Sequence, residues 1–250
     1  MSTDTPPVEA GTTTPAPPGP RSRAAAVIEI LLVSGFPTQL AVGALLLAAG
    51  VGPWDSTGTL SLRYLVSVLV IDAILVVAIM LVALRGHGES ATGLFFGRRV
   101  QDRDVWLGIA LVPAVVLGTA GLMQVLRLAW PALHNVPTNP FEALIRSKAD
   151  AAILGAAAVV GGGIKEELQR AFILDRFDRY LGGAVPGLVL YSLAFGAGHA
   201  LQGWDVGVMT ALLGVVWGAV YLWRRSTVAP MVSHAGFNTA QIIQFVLFGS

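Results

Sequence analysis

Three short clusters of polar side chains interrupt stretches that are otherwise apolar enough to cross a bilayer. They are Glu166 and Glu167 with Arg170, then His199, then His234 with Asn238. On membrane-insertion scales, one charged side chain at the centre of a membrane helix costs about 2.5–3.5 kcal/mol of insertion free energy. Two adjacent glutamates at such a position therefore indicate a function. Carboxylates and imidazoles are the usual groups of general acid–base chemistry. We therefore expect a buried reaction site.

The two glutamates lie within one helical turn of an arginine. Glu166 is four residues from Arg170 and Glu167 is three, so either carboxylate can face the guanidinium on a helix. Only one of them can pair well. The other is then free to point into a cavity, where loss of hydration makes it usable as a general base. The alternative is a simple ion pair at a helix end.

Glycines accompany the acidic pair and the first histidine. The run at 161–163 allows another helix, or a substrate backbone, to approach closely. His199 lies four residues after Phe195, at the end of an apolar segment. Glycines in this segment again leave the helix surface near the imidazole without bulky side chains. His234 and Asn238 are four residues apart and share a helix face, an arrangement that suits an oxyanion site or, less specifically, a metal site. The joint occurrence of the three clusters carries the prediction, because no single one is decisive.

The composition is that of a membrane protein. Of 250 residues, 54% are hydrophobic and 12% are charged, against about 25% charged residues in ordinary soluble domains. The net charge of +1 and the scattered basic residues exclude a nucleic-acid partner. The chain has no cysteine, which excludes disulfides, thiolate metal sites and a cysteine nucleophile.

We predict an all-α, polytopic helix bundle of about seven transmembrane helices, with the catalytic core in the last four. Each candidate satisfies the length of about 20 mostly apolar residues that a span needs. The seven lie at roughly 25–50, 62–85, 106–129, 151–174, 183–202, 205–223 and 227–248. The expected divisions are a disordered tail (1–23), N-terminal transmembrane helices and loops (24–149) and the catalytic core (150–250). Glu29 and Asp72, one in each of the first two segments, are expected to serve in packing.

The distribution of basic residues predicts the orientation. With the N-terminus inside, ten basic residues flank the segments on the cytoplasmic side and four on the other, which the positive-inside rule favours. The ten are Arg21, Arg23, Arg85, Arg98, Arg99, Arg103, Arg176, Arg179, Arg224 and Arg225, and the four are Arg63, Arg127, Arg146 and Lys148. We expect an integral protein of the cell membrane with a cytoplasmic N-terminus. At about 1.5 Å rise per residue, these segments place His199 and His234 on the order of 10 Å apart in depth.

Taken together, the clusters resemble the motifs of the CPBP or Abi family of CAAX-processing and bacteriocin-processing proteins, which includes the type II CAAX prenyl endopeptidases. The resemblance covers roughly 150–248. It implies an intramembrane endopeptidase in which Glu166, helped by His199, activates a water. His234 and Asn238 would stabilise the oxyanion. Supporting roles would fall to Phe195, and to Glu167 paired with Arg170.

The chain departs from the family at the first motif. Two residues separate Glu167 from Arg170, where the family has three, and Ala171 stands at the position expected for the arginine. We expect Arg170 to reach the same carboxylate from an adjacent turn. The resemblance also implies a peptide or protein substrate in a lipid setting, with prenylated peptides among the candidates.

Three alternatives stay open at this point. The first is a zinc-dependent version of the protease, with the metal held by Glu166, His199 and His234. The second is a non-catalytic membrane scaffold or immunity-type protein that keeps the cluster for helix packing. The third is a small transporter that uses the acids as a proton relay.

Overall fold

The structure, a computed structural model, describes residues 19–97 and 101–249. Within these ranges the regular elements are all helices, which confirms the predicted class. They are α1 (Pro20–Val33), α2 (Phe36–Ala48), α3 (Leu62–Gly86), α4 (Ala91–Phe96), α5 (Gln101–Ala129), α6 (Lys148–Ala158), a π-helix (Val159–Glu166), α7 (Glu167–Tyr180), α8 (Ala184–Gly198), α9 (Trp204–Arg224) and α10 (Val228–Phe248). Most of the predicted disordered tail lies outside the described residues.

Several helices are suited to span a membrane, as predicted, but the count of seven is not confirmed. Three helices within the described ranges, α3, α5 and α9, are long and apolar enough by themselves. A fourth span arises if α1 and α2 are taken as one element bent by 42°. The bend falls at Gly35, whose φ of 88° is in the left-handed region that glycine tolerates best. Helix α8 has 15 residues, fewer than the roughly 20 of a straight span.

The fourth predicted segment, 151–174, is part of a longer and irregular element. Helices α6 and α7 are joined through the π-helix without a loop, so helical backbone runs from 148 to 180. The Ser147 side chain caps its start by accepting a hydrogen bond from the Asp150 amide at 3.1 Å. A π-helix adds a residue to each turn and often marks a functional site. Here it ends at Glu166, the first residue of the acidic pair.

Exposed tryptophans mark two ends of the bundle. We call the end with the loops 49–61, 130–147 and 199–203 the loop end, and it carries Trp54, Trp130 and Trp204. The opposite end, which we call the arginine end, carries Trp106 and Trp223. Tryptophan is enriched at membrane interfaces. Along α9 the distance from Trp204 to Trp223 is about 29 Å at ~1.5 Å per residue, close to the roughly 30 Å hydrocarbon core of a bilayer.

Ion pairs tie elements together at both ends. At the loop end, Arg146 contacts Asp55 at 2.7 Å, which joins the loop before α6 to the loop before α3. At the arginine end, Arg224 contacts Asp104 at 2.6 Å and links α9 to α5. The side chains that define each end are therefore grouped in space.

The acids at positions 29 and 72 are paired inside the bundle, in keeping with the packing role expected for them. Glu29 accepts a hydrogen bond of 2.6 Å from the buried Arg176. Asp72 lies 3.3 Å from Lys165 and also accepts a hydrogen bond from Thr38. Lys165 immediately precedes Glu166, so the Asp72 pair anchors α3 to the end of the π-helix.

Candidate active site

A cavity of about 610 Å³ brings the predicted clusters together. Helices α8 and α10 and the π-helix each contribute to its wall. The predicted residues that line it are Glu166, Phe195, His199, His234 and Asn238. Glu167 and Arg170 do not line the cavity and lie behind this wall.

Glycines set the distance between the π-helix and α10. A Cβ atom built at Gly163 would lie 2.7 Å from the Cβ of Ala235, and one built at Gly162 would lie 2.5 Å from Nδ2 of Asn238. Both distances are too short for ordinary contacts between heavy atoms. The absence of side chains at these positions therefore allows the element carrying Glu166 to lie directly against the helix carrying His234 and Asn238.

The two adjacent glutamates occupy different environments. The Glu167 side chain is 1% exposed and forms an ion pair with Arg170, whose side chain is fully buried. The Glu166 side chain is 19% exposed and faces the cavity. Sequence spacing allowed either glutamate to pair with Arg170, and in the structure the partner is Glu167.

Aromatic rings surround the buried guanidinium. The Cζ atom of Arg170 lies 5.1 Å from the ring centroid of Phe195, 5.4 Å from Tyr191 and 5.7 Å from Trp217. Its Nε and Nη2 groups have no hydrogen-bond partner within the described residues. The ring faces compensate part of that loss by cation–π attraction. Arg170 is thus fixed in place and balances the charge of Glu167.

His234 stands between the two glutamates. Its Nδ1 atom is 2.8 Å from Oε1 of Glu167, and its Nε2 atom is 4.0 Å from Oε2 of Glu166. The imidazole stacks on Trp217 with ring centroids 3.9 Å apart and an angle of 15° between the planes. The indole Nε1–H of Trp217 in turn donates to the Ser233 hydroxyl at 3.2 Å. The ring of His234 is thereby held with one nitrogen on Glu167 and the other toward Glu166.

His199 reaches the same cavity from the end of α8. Its Nδ1–H donates to the carbonyl oxygen of Phe195 at 2.8 Å, which leaves Nε2 as the nitrogen able to accept a proton in the neutral ring. The Phe195 ring contacts both imidazoles, with centroid distances of 4.8 Å to His199 and 6.2 Å to His234. The sequence predicts different depths in the membrane for His199 and His234. In the structure both imidazoles contact the Phe195 ring and both line the same cavity.

Asn238 lies one turn beyond His234 on the cavity wall, as their spacing predicts. Its side-chain amide donates to the carbonyl oxygen of Ala158 at 3.2 Å, the residue just before the π-helix. A second N–H of the same amide is left to serve as a donor. Asn238 thus connects α10 to the start of the π-helix and presents a polar group next to His234.

The donor set suggested for zinc is not gathered into a metal site. Within the part of the chain that the structure describes, no group of three or more His, Asp or Glu side chains has positions that could hold a metal ion. The Nδ1 atoms of His199 and His234 bond to a carbonyl and a carboxylate, so Nε2 is the only nitrogen of each ring that is open to a ligand.

Two features of the site were missed by sequence reasoning. Trp217 stacks on His234 and faces Arg170. It lies in an apolar helix, where a tryptophan does not by itself indicate a functional site. Lys165 directly precedes the glutamates in the sequence, and its pairing with Asp72 joins positions 93 residues apart. Neither spacing nor periodicity identifies contacts of that kind.

The assembled groups can carry out acid–base chemistry on a bound carbonyl compound. A carboxylate and an imidazole nitrogen face the cavity as proton acceptors. Nε2 of His234 and the side-chain amide of Asn238 lie on an adjacent wall. Groups of these types serve in the attack of water on a carbonyl and in the stabilisation of the resulting oxyanion.

The family comparison agrees with the resemblance in the motifs. Residues 148–240 match the family model described as "Type II CAAX prenyl endopeptidase Rce1-like". The matched segment holds α6, the π-helix, α7, α8, α9 and the first part of α10, with every predicted site residue inside it. The family implies a peptidase with a peptide or protein substrate. No curated protein and no solved structure matches the chain.

Proposed function

We propose that the Rce1-like segment of this chain is an intramembrane endopeptidase that hydrolyses a peptide bond with a water activated by Glu166. One observation carries the proposal: Glu166 faces the cavity shared by His199, His234 and Asn238, whereas its neighbour Glu167 is buried in an ion pair with Arg170. Only one of the two carboxylates is therefore accessible to a water and a substrate.

Glu166 is the proposed general base. It accepts a proton from the water as the water oxygen attacks the peptide carbonyl carbon, and it then delivers that proton to the leaving amine nitrogen. His199 assists through Nε2, because its Nδ1–H is engaged by the carbonyl of Phe195. The water is thus held between two proton acceptors, the Glu166 carboxylate and Nε2 of His199.

His234 and Asn238 are the proposed donors to the tetrahedral oxyanion. The Nδ1 atom of His234 faces Glu167, so the proposed bond to the oxyanion is made through Nε2–H. Removal of one donor of this kind typically costs about 10²–10³ in rate.

The test begins with substrate discovery, since no sequence feature specifies the substrate. Membranes containing wild type or Glu166→Gln are compared by mass spectrometry for newly formed protein N-termini. A peptide copied from the cleavage site then serves as a fluorogenic substrate. Asp178→Asn is the matched control, because Asp178 is an exposed carboxylate that does not line the cavity.

The proposal expects N-termini that appear with wild type and Asp178→Asn and are missing with Glu166→Gln. Cleavage by Glu166→Gln at the wild-type rate would refute the role of this carboxylate. Loss of wild-type cleavage on addition of a zinc chelator would move the mechanism to a metalloprotease. Identical N-termini in wild-type and empty membranes would favour the non-catalytic scaffold.

A further inference from the structure

We propose that the reaction cavity opens on the non-cytoplasmic side of the membrane, so that the substrate is a polypeptide segment exposed on that side. The inference rests on the proposed peptidase function for the chemistry. The side of opening itself depends only on the cavity and on the charges around it.

The cavity runs from the glutamate cluster to the loop end of the bundle. Its inner wall includes Gly162 and Glu166, and its outer part includes Asn139, Glu142 and Gln202. The last three belong to the loop 130–147 and to the short turn between α8 and α9. The side chains of Asn139 and Gln202 are hydrogen-bonded to each other at 3.1 Å, so these two connections meet at the mouth.

Helix directions place four further lining residues at the same end. The cavity is also lined by residues near the C-terminal ends of α5 and α10 and near the N-terminal ends of α3 and α9. These residues are Arg127, Phe245, Leu65 and Asp205. Exposed Trp130 and Trp204, which mark the membrane interface, immediately follow α5 and begin α9. The mouth therefore lies at an interface rather than in the middle of the bundle.

The basic residues concentrate at the opposite end. Described side chains at the arginine end are Arg23, Arg85, Arg103, Arg176, Arg179, Arg224 and Arg225, and those at the loop end are Arg63, Arg127, Arg146 and Lys148. The connection 97–101, whose middle residues are not described, adds Arg98 and Arg99 by sequence. Lysine and arginine near the ends of spans are retained in the cytoplasm. The arginine end is therefore cytoplasmic, and the loop end with the cavity mouth is not.

The chemistry of the mouth suits a polar peptide chain. Arg127 and His134 both contact the buried Asp205, at 3.4 and 2.8 Å, and all three line the cavity with Asn139 and Gln202. Acids, bases and amides together offer a peptide backbone both donors and acceptors. A translocated peptide, or an extracytoplasmic segment of another membrane protein, can enter here. A peptide confined to the cytoplasm cannot.

Cysteine accessibility tests the orientation without any need for activity. The chain has no cysteine, so single substitutions give a background-free label. Ser56→Cys and Asn139→Cys report on the loop end, and Asp178→Cys, on exposed helix surface, reports on the arginine end. Intact cells that express each variant are treated with a membrane-impermeant maleimide, before and after lysis.

We expect labelling of Ser56→Cys and Asn139→Cys in intact cells, and of Asp178→Cys only after lysis. The reverse pattern, or labelling of both ends in intact cells, would overturn the inference. The failure of the peptidase proposal would leave these labels unchanged, so the two proposals fail separately.

Sealed vesicles test the consequence for the substrate. The impermeant peptide identified from the cleavage site is added outside right-side-out and inside-out vesicles. We expect cleavage in the right-side-out preparation and at least a tenfold lower rate in the inside-out one. Faster cleavage by inside-out vesicles would place the mouth in the cytoplasm and refute the inference.

Discussion

A single methyl group at Gly163 should move Glu166 away from His234 and Asn238, the other side of the proposed catalytic cluster. In Gly163→Ala, the new Cβ would lie 2.7 Å from the Cβ of Ala235 and 2.9 Å from its Cα. Restoring a carbon–carbon contact of about 3.5 Å requires roughly 0.8 Å of separation. Because the obstacle includes backbone, the helix itself must move. Overpacking of this kind costs about 1–3 kcal/mol of stability.

The same displacement should lower the proposed peptidase activity. Gly163 lies three residues before Glu166 in the π-helix, and Ala235 is adjacent to His234 in α10. A misplacement of about 1 Å can lower a catalysed rate by roughly 10²-fold. We therefore expect kcat/KM to fall about 100-fold in Gly163→Ala, together with a lower melting temperature.

The assay is cleavage of the identified peptide, paired with thermal unfolding followed by tryptophan fluorescence in detergent. Gly118→Ala is the matched control, because a Cβ at Gly118 in α5 meets nothing within 4 Å. Ala235→Gly in the Gly163→Ala background removes the nearest clashing atom and should restore part of the activity. Wild-type kcat/KM in Gly163→Ala would refute the argument that this contact positions the cluster.

Two further predictions concern stability. Asp72→Asn or Lys165→Met alone should destabilise the fold by about 3–5 kcal/mol, because each leaves a buried charged partner uncompensated. The double variant should destabilise the fold by far less than the sum of the two single changes. Additive losses of melting temperature would show that the pair is not coupled. Burial raises the pKa of the Glu142 carboxyl, so the folded state favours its protonated form. The charged form therefore destabilises the fold as the pH rises above the pKa of the unfolded chain, about 4.3. Glu142→Gln should therefore raise the melting temperature at about pH 8, with a gain that vanishes near pH 4; an equal gain at both pH values would contradict this sign.

The sequence predicted the parts of the site that depend on local spacing. Positions 166, 167 and 170 required that one glutamate pair with the arginine and the other be free, and the structure has that arrangement. The four-residue spacing of His234 and Asn238 placed both on one helix face, and both line the cavity. Helical periodicity alone was enough for these expectations.

Other features depend on contacts that local spacing does not encode. The π-helix uses the same residue types as an α-helix, so the fourth segment was predicted as an ordinary span. The buried pair of Asp72 and Lys165, and the stacking of Trp217 on His234, join distant elements. The count of seven spans followed from hydropathy, whereas α8 is short and the α6–α7 element is interrupted by the π-helix.

The most direct test of the central claim compares Glu166→Gln with Glu167→Gln on the identified peptide, with the melting temperature of each. The account predicts that Glu166→Gln loses cleavage by at least 10²-fold while its melting temperature stays near that of wild type, because Glu166 faces the cavity. Glu167→Gln should lose both cleavage and stability, because Glu167 is buried between Arg170 and His234. Cleavage by Glu166→Gln at the wild-type rate would contradict the account.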